Sequence, residues 1–373
     1  MRHLLVFGTR PEAIKMAPVV KMLQEKGQDP KVCITAQHRE MLDQVLDFFQ
    51  INPDYDLNLM KPGQNLHDLT ARIITEMKPV LDDFQPDLTW VHGDTTTSMA
   101  AALAAFYNEC SVAHVEAGLR TFNIKEPFPE ELNRNLTSKL ADFHFTPTKQ
   151  AAENLMAENI PANNMVKTGN TVIDALFYST EKIHQGYRDN EIEEVEKQID
   201  PDKKLILVTA HRRENHGEGF ERICRGLKTI AKRNPDVQLV YPVHLNPNVQ
   251  KPVYKHLNGI DNIKLISPLN YPAFVNLMER CHFVITDSGG IQEEAPGLGK
   301  PVLVMRDVTE RPEAVEAGTV KLVGADAEKI CTEAEKLICD EKHYQKMSKT
   351  HNPYGDGKAC ERIFEFLKNR KLN

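Results

Sequence analysis

No stretch of this 373-residue chain approaches the ~18 consecutive apolar residues that a membrane span requires. The apolar run at the N-terminus, MRHLLVFGTRPEA, is far shorter than a signal-peptide core and breaks at Gly8. The seven cysteines (33, 110, 224, 281, 331, 339, 360) form no CxxC pair and leave an odd one over. That fits neither a disulfide framework nor a zinc knuckle, and His and Cys spacing elsewhere supplies no metal site. Positive charge is not in excess either: 46 Lys and Arg against 53 Asp and Glu leave a net −7. This argues against a nucleic-acid footprint. Both GxGxxG and GxxxxGK[ST] are missing, so classical dinucleotide and nucleoside-triphosphate loops lose support. There is no GxSxG elbow, no internal repeat and no low-complexity tract. The absences together describe a cytoplasmic protein with no membrane, nucleic-acid or metal partner.

What is present is enough apolar residue, 41%, for real cores, on a chain longer than one core usually supports. Short apolar runs alternate with amphipathic stretches. His3–Phe7, Lys31–Ala36, Leu88–His92 and Ser111–Val115 read as strands, with Asp142–Phe145 and Met165–Lys167 as two further short ones. Helices are expected at Pro11–Lys26, Arg39–Phe49, Leu66–Phe84 and Thr97–Tyr107. The charge-rich stretch Gln185–Pro201 reads as a solvated helix. A second alternation then places strands at Leu205–Thr209, Gln238–Tyr241, Ile263–Ile266, Phe283–Thr286 and Val302–Met305, and a last helix at about Lys358–Lys371. Such a β-α-β-α succession implies α/β architecture: two doubly wound parallel sheets in tandem. Ligands in that architecture sit at the carboxyl ends of strands.

The polar residues that follow strands are therefore the ones to weigh. Gly8-Thr9-Arg10-Pro11 turns into a helix whose first amides suit an anion, with Arg10 and Lys15 nearby; an ordinary strand–helix turn explains it equally well. Asp94, in HGDTTT, is an acid/base or the N-cap of the next helix. Glu116 ends another strand, in HVEAGLRT. Glu130 and Glu131 fall in the first turn of a helix, where the macrodipole alone favours them. Carboxylates gathered in one cleft can have their pKa values pushed apart, one becoming acid and another base. His211, in TAHRREN, suits a diphosphate or a plain surface loop; His244 reads as structural. The segment Thr286–Pro296, TDSGGIQEEAP, puts Ser288, Gly289 and Gly290 between a strand and a helix, where bare amides approach phosphate oxygens. Glu294 stands one turn on, placed for ribose hydroxyls, and TERPE with Arg311 follows the next strand. SGGxxxE followed by TERPE points to a nucleotide-sugar diphosphate.

Taken together, GTRPEAIK, TAQHR, HGDTTT, HVEAGLRT, PEELNR, TGNTVIDAL, TAHRREN, HLNPNV, TDSGGIQEEAP, LVMRDVTERPEA and NPYGDG resemble the bacterial non-hydrolysing UDP-N-acetylglucosamine 2-epimerases, from Leu4 to about Arg362. The resemblance implies two Rossmann-like domains facing across a cleft, as in one class of glycosyltransferases. Residues 1–169 with 354–373 would form the first and 170–353 the UDP-binding second. It implies reversible epimerisation at C2 of UDP-N-acetylglucosamine and UDP-N-acetylmannosamine, by elimination of UDP to a glycal and re-addition, with no cofactor and no metal. The product would supply cell-surface polysaccharide, and the enzyme would be a homodimer. Two faces of C2 need two proton-transfer groups; Asp94, Glu116 and Glu130 are the candidates, with His211 also catalytic. Arg10, Lys15, Arg134 and His211 would stabilise departing UDP. Ser288, Gly289 and Gly290 would hold the diphosphate, Glu294 the ribose, Arg311 the same side, and the uracil would lie near Phe274. Gln37 and Gln64 match in part a region where some members bind a second substrate molecule as activator, although Glu40 and Gly63 depart from it. The loop Phe122–Glu126 (FNIKE) also departs from the family pattern. The alternatives are a hydrolysing epimerase releasing UDP and free N-acetylmannosamine, or a glycosyltransferase-like UDP-sugar binding protein.

Overall fold

The computed structural model describes residues 1–35, 39–59, 63–368 and 370. Its first sheet has seven strands: β1 (His3–Phe7), β2 (Lys31–Ile34), β3 (Tyr55–Asp56), β4 (Leu88–His92), β5 (Ser111–Val115), β6 (Phe143–Thr146) and β7 (Met165–Lys167). The second has six: β8 (Lys204–Thr209), β9 (Val237–Pro242), β10 (Ile263–Ile266), β11 (Phe283–Thr286), β12 (Val302–Val304) and β13 (Val320–Leu322). All pairings are parallel. Parallel strands covered by helices on both faces are buried along their length and run mostly apolar. β1 and β4 are accordingly buried at all five positions, HLLVF and LTWVH.

The strand orders are β3-β2-β1-β4-β5-β6-β7 and β10-β9-β8-β11-β12-β13. Each reverses direction once, between β1 and β4 in the first sheet and between β8 and β11 in the second. The crevice outside the carboxyl ends at such a switch point is where doubly wound sheets take ligands.

The chain divides into two compact units, Met1–Phe177 with Tyr354–Asn373, and Tyr178–Pro353. The first boundary falls inside the helix Thr171–His184, past the residue 169 expected from sequence. The opening turns of that helix are bound to the first unit's own C-terminal segment. Asp174 accepts from the amides of Ala359 and Cys360 at 3.1 and 2.9 Å, and the Phe177 ring lies against Gly357.

Each unit has its own core. In the first, Leu4, Val6, Val91 and Val112 pack beneath the helices Leu66–Phe84 and Thr96–Tyr107. The alanines of Thr96–Tyr107 let that helix lie close to its sheet. In the second, Ile206, Val208, Leu239 and Ile285 meet Phe220, Leu227 and Ile230 of the helix Glu218–Arg233. The edge strands β3 and β13, two and three residues long, were not anticipated; each pairs on one side and carries too short an apolar run to register. In the charge-rich stretch only Asn190–Glu196 is helical, capped by Asp189 and anchored through buried Ile192 and Val195.

Candidate functional site

In the first unit the loops after β1, β4 and β5 converge. Gly8 is needed for space and not for a positive φ: a Cβ there would lie 1.9 Å from Thr35 Oγ1 and 2.8 Å from Thr97 Oγ1. Thr9 caps the helix Arg10–Glu25 in a capping box with Glu12. Glu12 is 1% exposed, and its two oxygens do more than close the box. One accepts from the amides of Gly8 (3.1 Å) and Thr9 (2.8 Å); the other accepts from the hydroxyls of Thr95 (2.6 Å) and Ser98 (3.1 Å). Burial pushes the Glu12 carboxyl up, against the pull of these donors. Glu12 thus fastens the two loops of the switch point together.

On the same unit Lys15 reaches across to Glu116, with Nζ 2.5 Å from Oε2. Asn170 donates its side-chain amide to the same oxygen at 2.6 Å. Glu116 Oε1 lies 3.9 Å from His92 Nε2, and His92 is driven down to about 4 by burial, with the nearby Glu116 charge pulling the other way. Glu116 itself sits at φ +60, a left-handed conformation uncommon for a non-glycine residue. Gly93, next to Asp94, has φ +62 and faces the Glu116 carboxylate, and His114 bonds its carbonyl at 2.8 Å.

Asp94 is not the cap of the following helix. Thr95 fills that position, accepting from Ser98 N, and Asp94 is left to pair with Arg134 Nη2 at 2.6 Å. Asn133 donates to the Asp94 carbonyl, and Arg134 also binds Glu131 at 2.9 Å. Burial opposes the Arg134 charge, but Asp94 and Glu131 more than offset it. Glu130 and Glu131 both open the helix Glu130–Leu140, yet they differ. Glu131 is 1% exposed and accepts from the amides of Thr121 and Phe122, so it holds the loop that precedes the helix. Glu130 is half-buried, and its Oε2 is buried with no hydrogen-bond partner. Arg10 is half-buried at the start of its helix. Gln64 places its amide between the Leu59 carbonyl (3.0 Å) and Arg72 (3.3 Å). Gln37 lies outside the described residues.

In the second unit a buried carboxylate again sits at the switch point. Asp287, fully buried after β11, accepts from the amides of His211 (3.0 Å) and Arg212 (2.9 Å) and from Asn215 Nδ2 (3.1 Å), all in the loop after β8. His211 Nδ1 stands 3.7 Å from Asp287 Oδ1, and its ring stacks on His244 with centroids 5.5 Å apart. Burial moves His211 downward; Asp287 opposes this, while Arg212 and His244 add to it. Ser288, Gly289 and Gly290 lead into the helix Ile291–Gly297. The Ser288 amide is not bare as expected, because it donates to Thr286 Oγ1 at 2.9 Å, and the turn's own bonds begin at Gln292 N, which donates to Gly289 O at 3.2 Å. Arg212 Nη2 and Glu294 Oε2 flank this loop, 3.6 and 3.8 Å from where Cβ atoms on Gly289 and Gly290 would stand. Gln292 ties the loop to the next one, donating to Ser288 O and accepting from Thr309. Arg311 is ion-paired through Nε with buried Glu293. Arg306, 5% exposed, is clamped between Glu214 (2.5 Å) and Glu310 (2.6 Å). Burial works against the Glu310 charge, but the Arg306 bonds win and hold it at about 2. Phe274 is half-buried on the helix Tyr271–Arg280.

Sequence reasoning thus named Lys15, Glu116, Asp94 and Arg134, and the structure joins them in two ion pairs. It missed Glu12, Glu131, Asn170, Arg212 and Asp287 as working residues. Each was present in a quoted motif; Thr9-x-x-Glu12 has capping-box spacing, which could have pointed to Glu12, but nothing in the spacing shows its second loop or the partners of the other four. Among the described residues no group of three or more His, Cys, Asp or Glu is placed to hold a metal ion, and no helix is long and apolar enough to cross a membrane.

Residues 21–368 match the family model for UDP-N-acetylglucosamine 2-epimerase. The UDP-N-acetylglucosamine 2-epimerase of Campylobacter jejuni is 58% identical over 375 residues, covering 99% of this chain and 98% of its own. The crystal structure of UDP-GlcNAc 2-epimerase from Neisseria meningitidis bound to UDP-GlcNAc superposes with a TM-score of 0.91 at 54% identity, covering 99% of this chain and 100% of that one. A glycosyltransferase from Rickettsia africae, at 13% identity and a TM-score of 0.62, shares the fold alone. With the family model spanning most of the sequence and relatives aligned end to end, this chain belongs to the UDP-N-acetylglucosamine 2-epimerase family.

Proposed function

We propose that the protein inverts C2 of UDP-N-acetylglucosamine reversibly, through loss of UDP to a glycal and its re-addition, without hydrolysis. The observation that carries this reading is the pairing in the first unit: Asp94, after β4, on Arg134, and Glu116, after the neighbouring β5, on Lys15. Inversion needs a proton removed from one face of C2 and another delivered to the opposite face, so two acid/base groups are required. Asp94, Glu116 and Glu130 supply them. Lys15, Arg134 and Arg10 bring positive charge to where the C1–O bond to UDP breaks. In the second unit, the Ser288 hydroxyl and the amides of Gly289 and Gly290, with Arg212, His211 and Arg311, suit a diphosphate, Glu294 a ribose and Phe274 the neighbourhood of the uracil. That the meningococcal relative is described as bound to UDP-GlcNAc supports the substrate. The homodimer, cytoplasmic location and supply of a polysaccharide precursor belong to the same proposal, as does activation through Gln37 and Gln64.

Incubation with UDP-N-acetylglucosamine in deuterated water, followed by proton NMR, tests the reading. The expected result is UDP-N-acetylmannosamine with deuterium at C2 of both epimers. Free sugar and UDP without nucleotide-linked epimer would establish the hydrolysing alternative. Asp94→Asn, Glu116→Gln and Glu130→Gln should each slow exchange at least ~100-fold while UDP still binds. Near-normal rates in all three would remove the mechanism.

A further inference from the structure

Glu116 is gripped at one oxygen by two donors that arrive from distant parts of the first unit. Lys15 belongs to the first helix; Asn170 lies in the short loop between β7 and the helix Thr171–His184. The Asn170 amide has little freedom. Its Oδ1 accepts from Val172 N at 3.1 Å, which leaves Nδ2 as the end that faces Glu116. Its backbone N–H donates to the Tyr354 carbonyl at 2.7 Å, and its carbonyl accepts from Ile173 N. Tyr354 is itself 1% exposed, so the anchor is buried.

On the proposed function for this site, we infer that Asn170 is a positioning residue, whose amide donor fixes the Glu116 carboxylate for proton transfer at C2. The loop residue acts through Glu116 and needs no contact with the sugar. A second role, helix capping through Oδ1, is visible in the same side chain, and the two can be separated because Asp caps a helix as well as Asn does. Asn170→Asp keeps the shape and the acceptor for Val172 N. It replaces the donor at 2.6 Å from Glu116 with a second carboxylate oxygen. Two carboxylates that close cannot both ionise readily and titrate as a pair. With one proton between them the new Asp donates as Asn does; when that proton leaves, the two repel.

The test is the C2 deuterium-exchange assay from pH 6 to pH 8.5 on wild type, Asn170→Asp and Asn170→Ser. Asn170→Asp is expected to lose about 100-fold in kcat at the alkaline end and to recover much of it toward pH 6. Asn170→Ser, which can cap but is too short to reach Glu116, should lose at least ~10-fold in kcat at every pH, with KM near the wild-type value. Wild-type rates and pH profile in Asn170→Asp overturn the inference, and so does a full wild-type rate in Asn170→Ser. Should Asn170→Asp fail to fold, Asn170→Ser alone decides. Absence of C2 exchange in the wild type would instead strike the proposed function itself.

Discussion

At the scale of single residues, the switch point of each sheet is held by one buried carboxylate that collects donors from the adjacent loop. Glu12 does this between the loops after β1 and β4, and Asp287 between those after β8 and β11. A buried carboxylate of this kind is stable because every nearby group donates to it. The converse gives a prediction for Asp287. Asparagine at 287 has the same shape, but its NH2 would face the amides of His211 and Arg212 or the Asn215 side chain, all donors. Leaving a buried donor unmatched costs about 1–3 kcal/mol. Asp287→Asn should therefore lower stability by that amount in chemical denaturation and weaken UDP binding in titration calorimetry, since His211 and Arg212 lose their anchor. Unchanged UDP affinity with lowered stability would mean that the loop after β8 does not serve the diphosphate. Neither role shows in the sequence, because an Asp before Ser-Gly-Gly reads the same whether it faces solvent or collects amides from 75 positions away.

At the scale of elements, the apolar runs were long enough to reveal the interior strands and their alternation with helices. Burial on both faces leaves a continuous signal in β1, β4, β8 and β11. It also fixes where the loops go, which is why polar clusters after strands could be singled out. Pairings between those clusters were not legible: Lys15 and Glu116 stand 101 positions apart, and only the fold of the sheet brings them together. Asp94 shows the limit at short range, since the adjacent Thr95 takes the capping role and frees the acid. The C-terminal return is another long-range device. Gly169 has φ +88, and a Cβ there would stand 3.2 Å from both Gly355 Cα and the Tyr354 carbonyl oxygen. Arg362 donates to Thr168 O beside it at 2.9 Å, with Asp356 bracing the guanidinium. Gly169→Ala is expected to cost about 1–3 kcal/mol, because both the φ and the space are wrong for a side chain. It should also lower exchange activity by moving Asn170, whereas Gly186→Ala, at φ +102 with open space around it, should leave activity unchanged. Equal activity in the two variants would show that backbone packing at 354–355 does not matter to the site.

At the scale of the whole molecule, the two units are expected to differ in their response to acid. Among the described residues, four histidines of the first unit lie buried in or beside its sheet. Burial, with the N-terminal charge adding to it, lowers His3 to about 4; burial lowers His92 to about 4 and His114 and His144 to about 3. Once unfolded, each takes up its proton near 6.5. A base whose folded pKa is depressed lends stability that is complete above the unfolded value and is lost as pH falls through the interval toward the folded one. Each such histidine adds about 1.4 kcal/mol per pH unit to the slope while it is the unfolded chain that binds the proton. Glu12 and Asp174, pushed up by burial, have the opposite sign and offset part of the loss. In the second unit burial lowers His211 and His282, and the stability lent by Glu310, held at about 2, is lost as pH falls from the ordinary carboxylate range toward that value, below the range where the histidines act. The first unit should therefore unfold at the higher pH. The chain's single tryptophan, Trp90, reports on this directly: it is fully buried in the first unit, with Nε1 donating to His3 Nδ1 at 3.1 Å. Protonation of His3 at Nδ1 removes that acceptor. In an acid titration Trp90 fluorescence should change between pH 6 and pH 4, ahead of the loss of helical circular dichroism from the second unit. His144→Leu, which removes one buried proton site from β6, should move the fluorescence transition to lower pH and leave the later one in place. A single transition below pH 4 by both probes, unmoved by His144→Leu, would show that the buried histidines do not govern the acid limit.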